Sequence, residues 1–282
     1  MNYINAPFPY AGCKYNLLSH IDKAIPRGDT LYDVFGGSAA VGVNLAYRFN
    51  TVIVTDKLRD LITMHRNLQQ DNPDMLIARL KELSSKDPAR YAQLRDEYNA
   101  LPKESPDRGY RLYGLILSCT NNLMRFNLKG GFNQTCGKRQ LTDNKEREIR
   151  EWCDRLNSLS DKKIMFGYGP YLSVLNRIAE TAKDESSVVI YLDPPYSNTE
   201  AGYNVAWTVE DDDRLADFML THPNYKYVLS SCSKGNSTTK LVKTLQDSGM
   251  YNTTRIPHVY KAAKKTKDVE TTELILRSNN CD

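Results

Sequence analysis

Residues 187–192, Ser-Val-Val-Ile-Tyr-Leu, form an apolar, β-branched-rich run suited to a strand buried on both faces. Asp193-Pro194-Pro195-Tyr196 follows at once, which puts it at the carboxyl end of a parallel strand, where open α/β sheets hold their ligands. Two consecutive prolines fix φ and remove two N–H donors, so the local carbonyls stay free to accept hydrogen bonds. The aspartate adds an acceptor and the tyrosine a flat ring. Such a set suits a planar group with an exocyclic NH2: two acceptors for its protons and a face to stack on. Asp-Pro-Pro is also common in plain turns, so the motif needs company to carry chemistry.

Two further segments supply it. Residues 30–35 read as a strand that runs into a Gly36-Gly37 turn and a helix from about Ser38. Glycines there let a ligand approach the backbone and the helix N–H groups closely. About twenty residues on, Asn50 to Asp56 reads as a second buried strand ending in an acid. An acid so placed can take both ribose hydroxyls of an adenosine-containing cofactor. The turn lacks the G-x-G-x-x-G of dinucleotide sites, and by itself it reads more readily as a purely structural crossover. Near the N-terminus, Tyr10-Ala11-Gly12-Cys13-Lys14 offers an aromatic plate, a close backbone approach and one cation. In isolation this reads as an ordinary ordered loop with a solvated lysine.

The net charge of +4 is too small to signal nucleic acid, but its distribution is uneven. From Arg108 to Thr142 there are six basic residues and no acid, interleaved with Tyr110, Tyr113, Phe126 and Phe132 and with several amides. Cations neutralise phosphates, and arginines and amides read base edges, so this stretch predicts a DNA-facing surface. A second acid-free stretch, Arg255 to Lys267, reads as a solvated face. With 40% hydrophobic and 26% charged residues, and with no spanning apolar run or signal-peptide pattern, the expected setting is cytoplasmic. Six scattered cysteines and four separate histidines point to reduced structural thiols and to no metal centre.

Helical periodicity appears over Leu58–Gln70, Asp74–Leu83, Pro88–Asn99, Arg108–Leu117 and Glu146–Leu159, with an irregular glycine-containing hairpin at about 118–140. The α/β pattern resumes at Lys163–Phe166, a helix near 172–183, the strand before Asp193, and Lys226–Ser230; residues 251–282 read as an antiparallel pair. The acidic run Glu210–Asp213 after Thr208 reads as helix capping.

Taken in order, Tyr-Ala-Gly-Cys-Lys, Asp-Val-Phe-Gly-Gly, Asp56, a long middle insertion and Asp-Pro-Pro-Tyr resemble the DNA adenine methyltransferase (Dam) family, in its α-group, D12-class arrangement. The resemblance implies a Rossmann-like S-adenosylmethionine-dependent methyltransferase sheet (residues 1–57 and 162–282). It also implies an inserted, mostly helical target-recognition domain with a β-hairpin (58–161). The implied reaction is methylation of adenine N6 in a short duplex DNA motif, GATC in many relatives, after base flipping. Asp193, Pro194, Pro195 and Tyr196 would be catalytic. Tyr10, Ala11, Gly12, Lys14, Asp33, Phe35, Gly37, Ser38, Asp56, Tyr168, Gly169 and Asp193 would surround S-adenosyl-L-methionine. Asn121, Leu123, Arg125, Asn127, Lys138 and Arg139 would meet double-stranded DNA, with the protein a monomer or a dimer on DNA.

Three positions depart from the family pattern: Thr120 replaces an aromatic that inserts into the base stack, Pro9 a base-reading lysine, and Thr135-Cys136 a proline-aromatic pair. They leave the enzyme class intact and loosen the GATC expectation. An RNA adenine methyltransferase and a non-catalytic DNA-binding relative are the alternatives; the latter is expected to lack Asp193 or Tyr196.

Overall fold

A computed structural model describes residues 2–159, 163–195, 207–234, 237–258 and 271–281. In chain order the elements are α1 (Leu18–Ala24), β1 (Thr30–Asp33), α2 (Ala40–Leu45), β2 (Thr51–Asp56), α3 (Arg59–Gln70), α4 (Pro73–Leu83), α5 (Pro88–Ala100) and α6 (Asp107–Ser118). Then come α7 (Asp143–Ser158), β3 (Lys163–Tyr168), α8 (Tyr171–Thr181), β4 (Val188–Leu192), α9 (Val209–Thr221), β5 (Lys226–Lys234), α10 (Lys240–Asp247), β6 (Tyr251–His258) and β7 (Thr271–Ser278). The predicted helices start where their caps dictate. Asn72 accepts from the N–H groups of Asp74 and Met75 with Pro73 at the first helical position, and Asp87 with Pro88 repeats the device. Thr208 and Asp211 form a reciprocal capping box, as the acidic run predicts.

The seven strands form one sheet in the order β3-β2-β1-β4-β5-β7-β6. β1 pairs in parallel with both β2 and β4, while β7 inserts antiparallel between β5 and β6. The inserted β7 separates this order from the 3-2-1-4-5-6 of dinucleotide domains. Chain order reverses between β1 and β4, so the switch-point crevice opens beside Asp33 and Asp193.

β4 is buried along its whole length because both faces are covered. Val189 and Tyr191 join Leu31, Val52, Val54, Val228 and Ile275 under α1, α2 and the helices of residues 59–158. Val188, Ile190 and Leu192 join Tyr227, Leu229, Leu274 and Leu276 under α8, α9 and α10. Each fully buried aliphatic of this kind contributes on the order of 2 kcal/mol. The edge strand β3 would otherwise present open carbonyls. Arg66 donates to Phe166 O at 2.6 Å and Gln69 to Ile164 O at 3.0 Å, so α3 closes that edge.

Within the helical block, the Arg108 guanidinium is buried against Asp60 at 2.9 Å and donates to the carbonyls of Tyr98 and Leu101. Its carbon sits 4.3 Å above the Tyr98 ring, and the Tyr98 hydroxyl donates to Asp60 at 2.5 Å. This corrects the reading of residues 108–142 as one continuous DNA-facing surface. Arg108 is internal, Arg111 is paired with Glu97 at 2.5 Å, and Tyr113 and Phe132 are fully buried. The acids that neutralise these cations come from other helices, where a count along the sequence cannot see them.

The exposed remainder of the stretch is the irregular hairpin, bridged at Cys119–Cys136 and Phe126–Phe132. Phe132 anchors it edge-on to Tyr98, while Asn99 bonds both the N–H and the carbonyl of Phe132.

Candidate active site

The crevice at the carboxyl ends of β1 and β4 is an open cleft lined by Tyr10, Gly12, Lys14, Asp33, Phe35, Gly36, Gly37, Ser38, Tyr191 and Asp193 among others. Loop, turn and motif, far apart in sequence, therefore meet here. The N-terminal loop turns at Gly12 (φ +82) with Cys13 N–H bonded to Tyr10 O. The Lys14 ammonium then returns inward, 2.6 Å from Asp193 and 3.0 Å from Gly12 O. Lys14 is 8% exposed, so the solvated-lysine reading is replaced by a buried ion pair. Burial is the strongest single influence and opposes the charge on Lys14, but the nearby acids, Asp193 foremost, together raise the lysine pKa, so Lys14 stays an ammonium. Burial pushes the Asp193 carboxyl up, and Lys14 pulls it back.

The glycine turn is held from three sides. Gly37 has φ +47, and a Cβ there would meet the Tyr10 ring at 2.7 Å, so Tyr10 lies directly on the backbone. The Gly37 N–H donates to Asp56 at 3.1 Å, and Asp56 also accepts from Leu58 N–H at 2.8 Å. Burial raises the Asp56 pKa against these backbone bonds. The Gly37 carbonyl is 2.8 Å from His65 Nε2. Burial drives the His65 pKa down to about 4, so the neutral ring carries its proton on Nε2 and donates it to the carbonyl. That ring stacks on Phe166 at 5.1 Å. Sequence reading misses His65, because a lone histidine on a helix gives no signal of the turn it supports.

Asp33 accepts from Gly42 N–H at 3.0 Å, an approach possible because a Cβ on Gly42 would lie 3.2 Å from that carboxylate and 2.5 Å from Val54. Burial raises the Asp33 pKa from 3.8 to about 7, despite the Gly42 bond. The folded chain thus holds this proton more tightly than the unfolded chain. The resulting stability is complete below pH 3.8 and is lost as pH rises through about 7. Asp33→Asn removes the ionisation and keeps an acceptor for Gly42. Its stability relative to the parent is expected to grow from pH 4 to pH 7.5, reaching a few kcal/mol. Urea unfolding at several pH values measures this, and a gain that stays flat with pH contradicts it.

The other predicted residues fall around this centre. Phe35 packs against Tyr171 and Trp207, both at 5.5 Å, as an aromatic wall of the cleft. Ser38 is buried and donates to the Cys13 thiol, and Ala11 is exposed at the loop's turn. Asp56, Tyr168 and Gly169 do not line the cleft. Tyr168 is Asp56's register partner on β3, and Gly169 N–H bonds Asp56 O at 3.1 Å. Pro194 is buried and Pro195 half-buried; Tyr196 lies outside the described residues.

On the hairpin, Asn121 (φ 57), Leu123, Arg125, Asn127, Lys138 and Arg139 are exposed. Asn127 already caps the turn, accepting from Lys129 and Gly131 N–H groups at 2.9 Å. Thr120 bonds Thr135 at 2.9 Å and Cys136 O at 3.0 Å, closing the hairpin base. Among the described residues no helix is long and apolar enough to cross a membrane.

Residues 10–262 match the family described as D12 class N6 adenine-specific DNA methyltransferase. The chain is 26% identical over 274 residues to the type II methyltransferase M.CviBI of Paramecium bursaria Chlorella virus NC1A, covering 95% of this chain and 97% of that one. It is 29% identical over 200 residues to the DNA adenine methylase of Salmonella typhi, covering 69% and 66% respectively. It is 26% identical to modification methylase StsI of Streptococcus sanguinis over 98% of its own length, yet spans only 43% of StsI. The family match over residues 10–262 means that the chain belongs to the D12 class N6 adenine-specific DNA methyltransferases, which are S-adenosylmethionine-dependent enzymes.

Proposed function

We propose that this chain methylates N6 of an adenine in a short duplex DNA motif, with GATC the motif expected, after the base is turned out of the helix. The observation that carries the proposal is the Asp193 carboxylate, oriented by Lys14 at 2.6 Å at the carboxyl end of β4 and sharing one cleft with the Gly36-Gly37 turn. On this reading residues 1–57 and 162–282 are the catalytic part and residues 58–161 the target-recognition part.

The cleft suits S-adenosylmethionine. Asp33 offers a carboxylate to a cationic amino group, and the Gly37 backbone allows close approach. Outside the lining itself, behind the Gly37 turn, each Asp56 oxygen holds one backbone N–H and keeps a lone pair for a ribose hydroxyl. Tyr10, Ala11, Gly12, Lys14, Phe35 and Ser38 would enclose the same molecule, with Tyr168 and Gly169 beside its adenine. When bound, it supplies an electrophilic methyl group on a sulfonium that leaves as a neutral thioether.

The chain's own part is positioning and proton handling. Adenine N6 is unreachable inside a stacked duplex, so the base must be extruded. Asp193 and the Pro194 carbonyl then accept the two N6 protons, aiming nitrogen density at the methyl carbon, and Pro195 keeps the local backbone fixed. Tyr196 supplies the stacking face. As the N6–C bond forms, one N6 proton leaves to Asp193 or to water, so no strong base is required.

Arg125, Lys138 and Arg139 are exposed on the hairpin with Asn121 and Leu123 beside them. Arg125 is the candidate base reader and the lysine–arginine pair a phosphate clamp. The test is methylation of unmethylated genomic DNA, read by single-molecule sequencing. The parent chain is expected to mark adenine in one short motif. Arg125→Ala is expected to relax choice at one base pair, by about 1–3 kcal/mol of lost discrimination. Uniform weakening on every sequence makes Arg125 a phosphate contact instead, and modification confined to RNA overturns the duplex DNA reading.

A further inference from the structure

The irregular hairpin is closed at its neck by two cysteines. Cys119 and Cys136 are antiparallel bridge partners, and the hydrogen bonds around them fix which kind. Gly137 N–H donates to Ser118 O at 2.7 Å and Thr120 N–H to Thr135 O at 2.9 Å. The two bonds flank the cysteines on either side, so this is the non-hydrogen-bonded pair of an antiparallel ladder. In such a pair the α-carbons lie about 4.5 Å apart and both side chains stand on one face. A disulfide needs α-carbons about 4.4–6.8 Å apart. The backbone segments are pressed together here, because a Cβ on Gly137 would lie 2.6 Å from Cys119 O. Cys119 belongs to the buried core and Cys136 packs against that core from its edge.

Both residues are free thiols, with Cys136 half-buried and so within reach of a reagent from solvent. The Cys119 thiol donates to Leu123 O and the Cys136 thiol to Gly137 O, each at 3.4 Å. These are weak bonds, which side-chain rotation gives up. We propose that Cys119 and Cys136 form a reversible disulfide at the neck of the hairpin when a small-molecule disulfide oxidises them. The Cys136 thiolate attacks one sulfur of that molecule, forming a mixed disulfide and expelling one small thiolate. The Cys119 thiolate then attacks the Cys136 sulfur and expels the second. The two protein thiols give up two protons and two electrons, and the small disulfide leaves as two thiols. Burial raises both protein thiols, Cys119 to about 12, so closure is expected to speed up with rising pH. The loop so closed carries Asn121, Leu123, Arg125 and Asn127. Oxidation thus ties down the segment that the proposed function sets against DNA.

The test incubates the folded full chain with excess oxidised glutathione, quenches with acid, alkylates, and digests with trypsin without reduction. Cleavage after Arg111, Arg125, Lys129 and Lys138 leaves the two cysteines in separate peptides, 112–125 and 130–138, with one cysteine in each. Mass spectrometry is expected to find these peptides joined, and dithiothreitol to separate them. Cys136→Ser, at the half-buried position, is expected to keep the fold and lose the link. Unlinked peptides in the parent, glutathione that stays on Cys136, or Cys119 joined to a different cysteine overturns the proposal. The second readout is amide exchange in the hairpin. The Asn127 and Asn133 N–H groups bond Gly131 O and Arg125 O, and their exchange is expected to slow about tenfold on oxidation and to recover on reduction. Unchanged exchange in the linked chain overturns the tying of the hairpin. Neither readout needs methyl transfer, so a chain that methylates nothing overturns the proposed function alone.

Discussion

Asp193→Ala is expected to lower methyl transfer by about a thousandfold, some 4 kcal/mol of transition-state stabilisation, with the fold and methyl-donor binding retained. On the proposed reading, Asp193 accepts a hydrogen bond from N6 and holds the nitrogen in line. The Pro194 carbonyl alone leaves the amino group free to rotate, and a loss of alignment at a reacting atom is costly. The rest of the site has its own supports. The glycine turn is fixed by Asp56 and His65, and Lys14 keeps the Gly12 carbonyl at 3.0 Å. Single-turnover methylation of a duplex with the parent's motif measures the rate, and calorimetry with S-adenosylhomocysteine measures the donor site. Asp193→Asn separates shape from charge. It fills the same space, yet it presents one acceptor and an NH2, and it leaves Lys14 without that partner's charge. It is expected to be nearly as slow as the alanine variant. Turnover within tenfold of the parent in either variant removes Asp193 from the chemistry.

The fold was legible wherever local rules decide the outcome. The β4 run is apolar throughout because both faces are covered, and caps such as Asn72-Pro73, Asp87-Pro88 and Thr208 fix helix starts within a residue or two. Partners distant in sequence were not legible. Lys14 looks like a solvated lysine in its loop and is an internal cation only because Asp193 arrives from 179 positions away. His65 carries no motif at all, and its role as a prop for Gly37 exists only through the packing of α3 on β2 and β3. The Arg108–Thr142 stretch shows the opposite failure. Its cations are exposed on the hairpin, whereas on α6 the same residue types serve the interior.

Arg108 therefore carries the second large effect, on stability and not on DNA contact. Arg108→Ala is expected to cost about 3–5 kcal/mol, because it strands the buried Asp60 carboxylate. The side chains of Arg108 and Asp60 are both only 9% exposed, so solvent cannot make up the loss. The guanidinium also satisfies the Tyr98 and Leu101 carbonyls and covers the Tyr98 ring, linking α3, α5 and α6 at one point. Because Tyr98 and Asn99 in turn hold Phe132, loosening this junction loosens the hairpin. The thermal midpoint should drop by roughly 10 °C, from about 2–4 °C per kcal/mol for a chain somewhat shorter than this one. A paired replacement tells an ion-pair effect from a volume effect. Arg108→Met with Asp60→Leu fills similar space and removes both charges, so it is expected to recover much of the stability lost by Arg108→Ala. Both variants should retain the salt dependence of DNA binding, because Arg108 touches no phosphate on this account. A loss below about 1 kcal/mol in Arg108→Ala, or a reduced salt slope, returns Arg108 to the surface role that its sequence neighbourhood suggests.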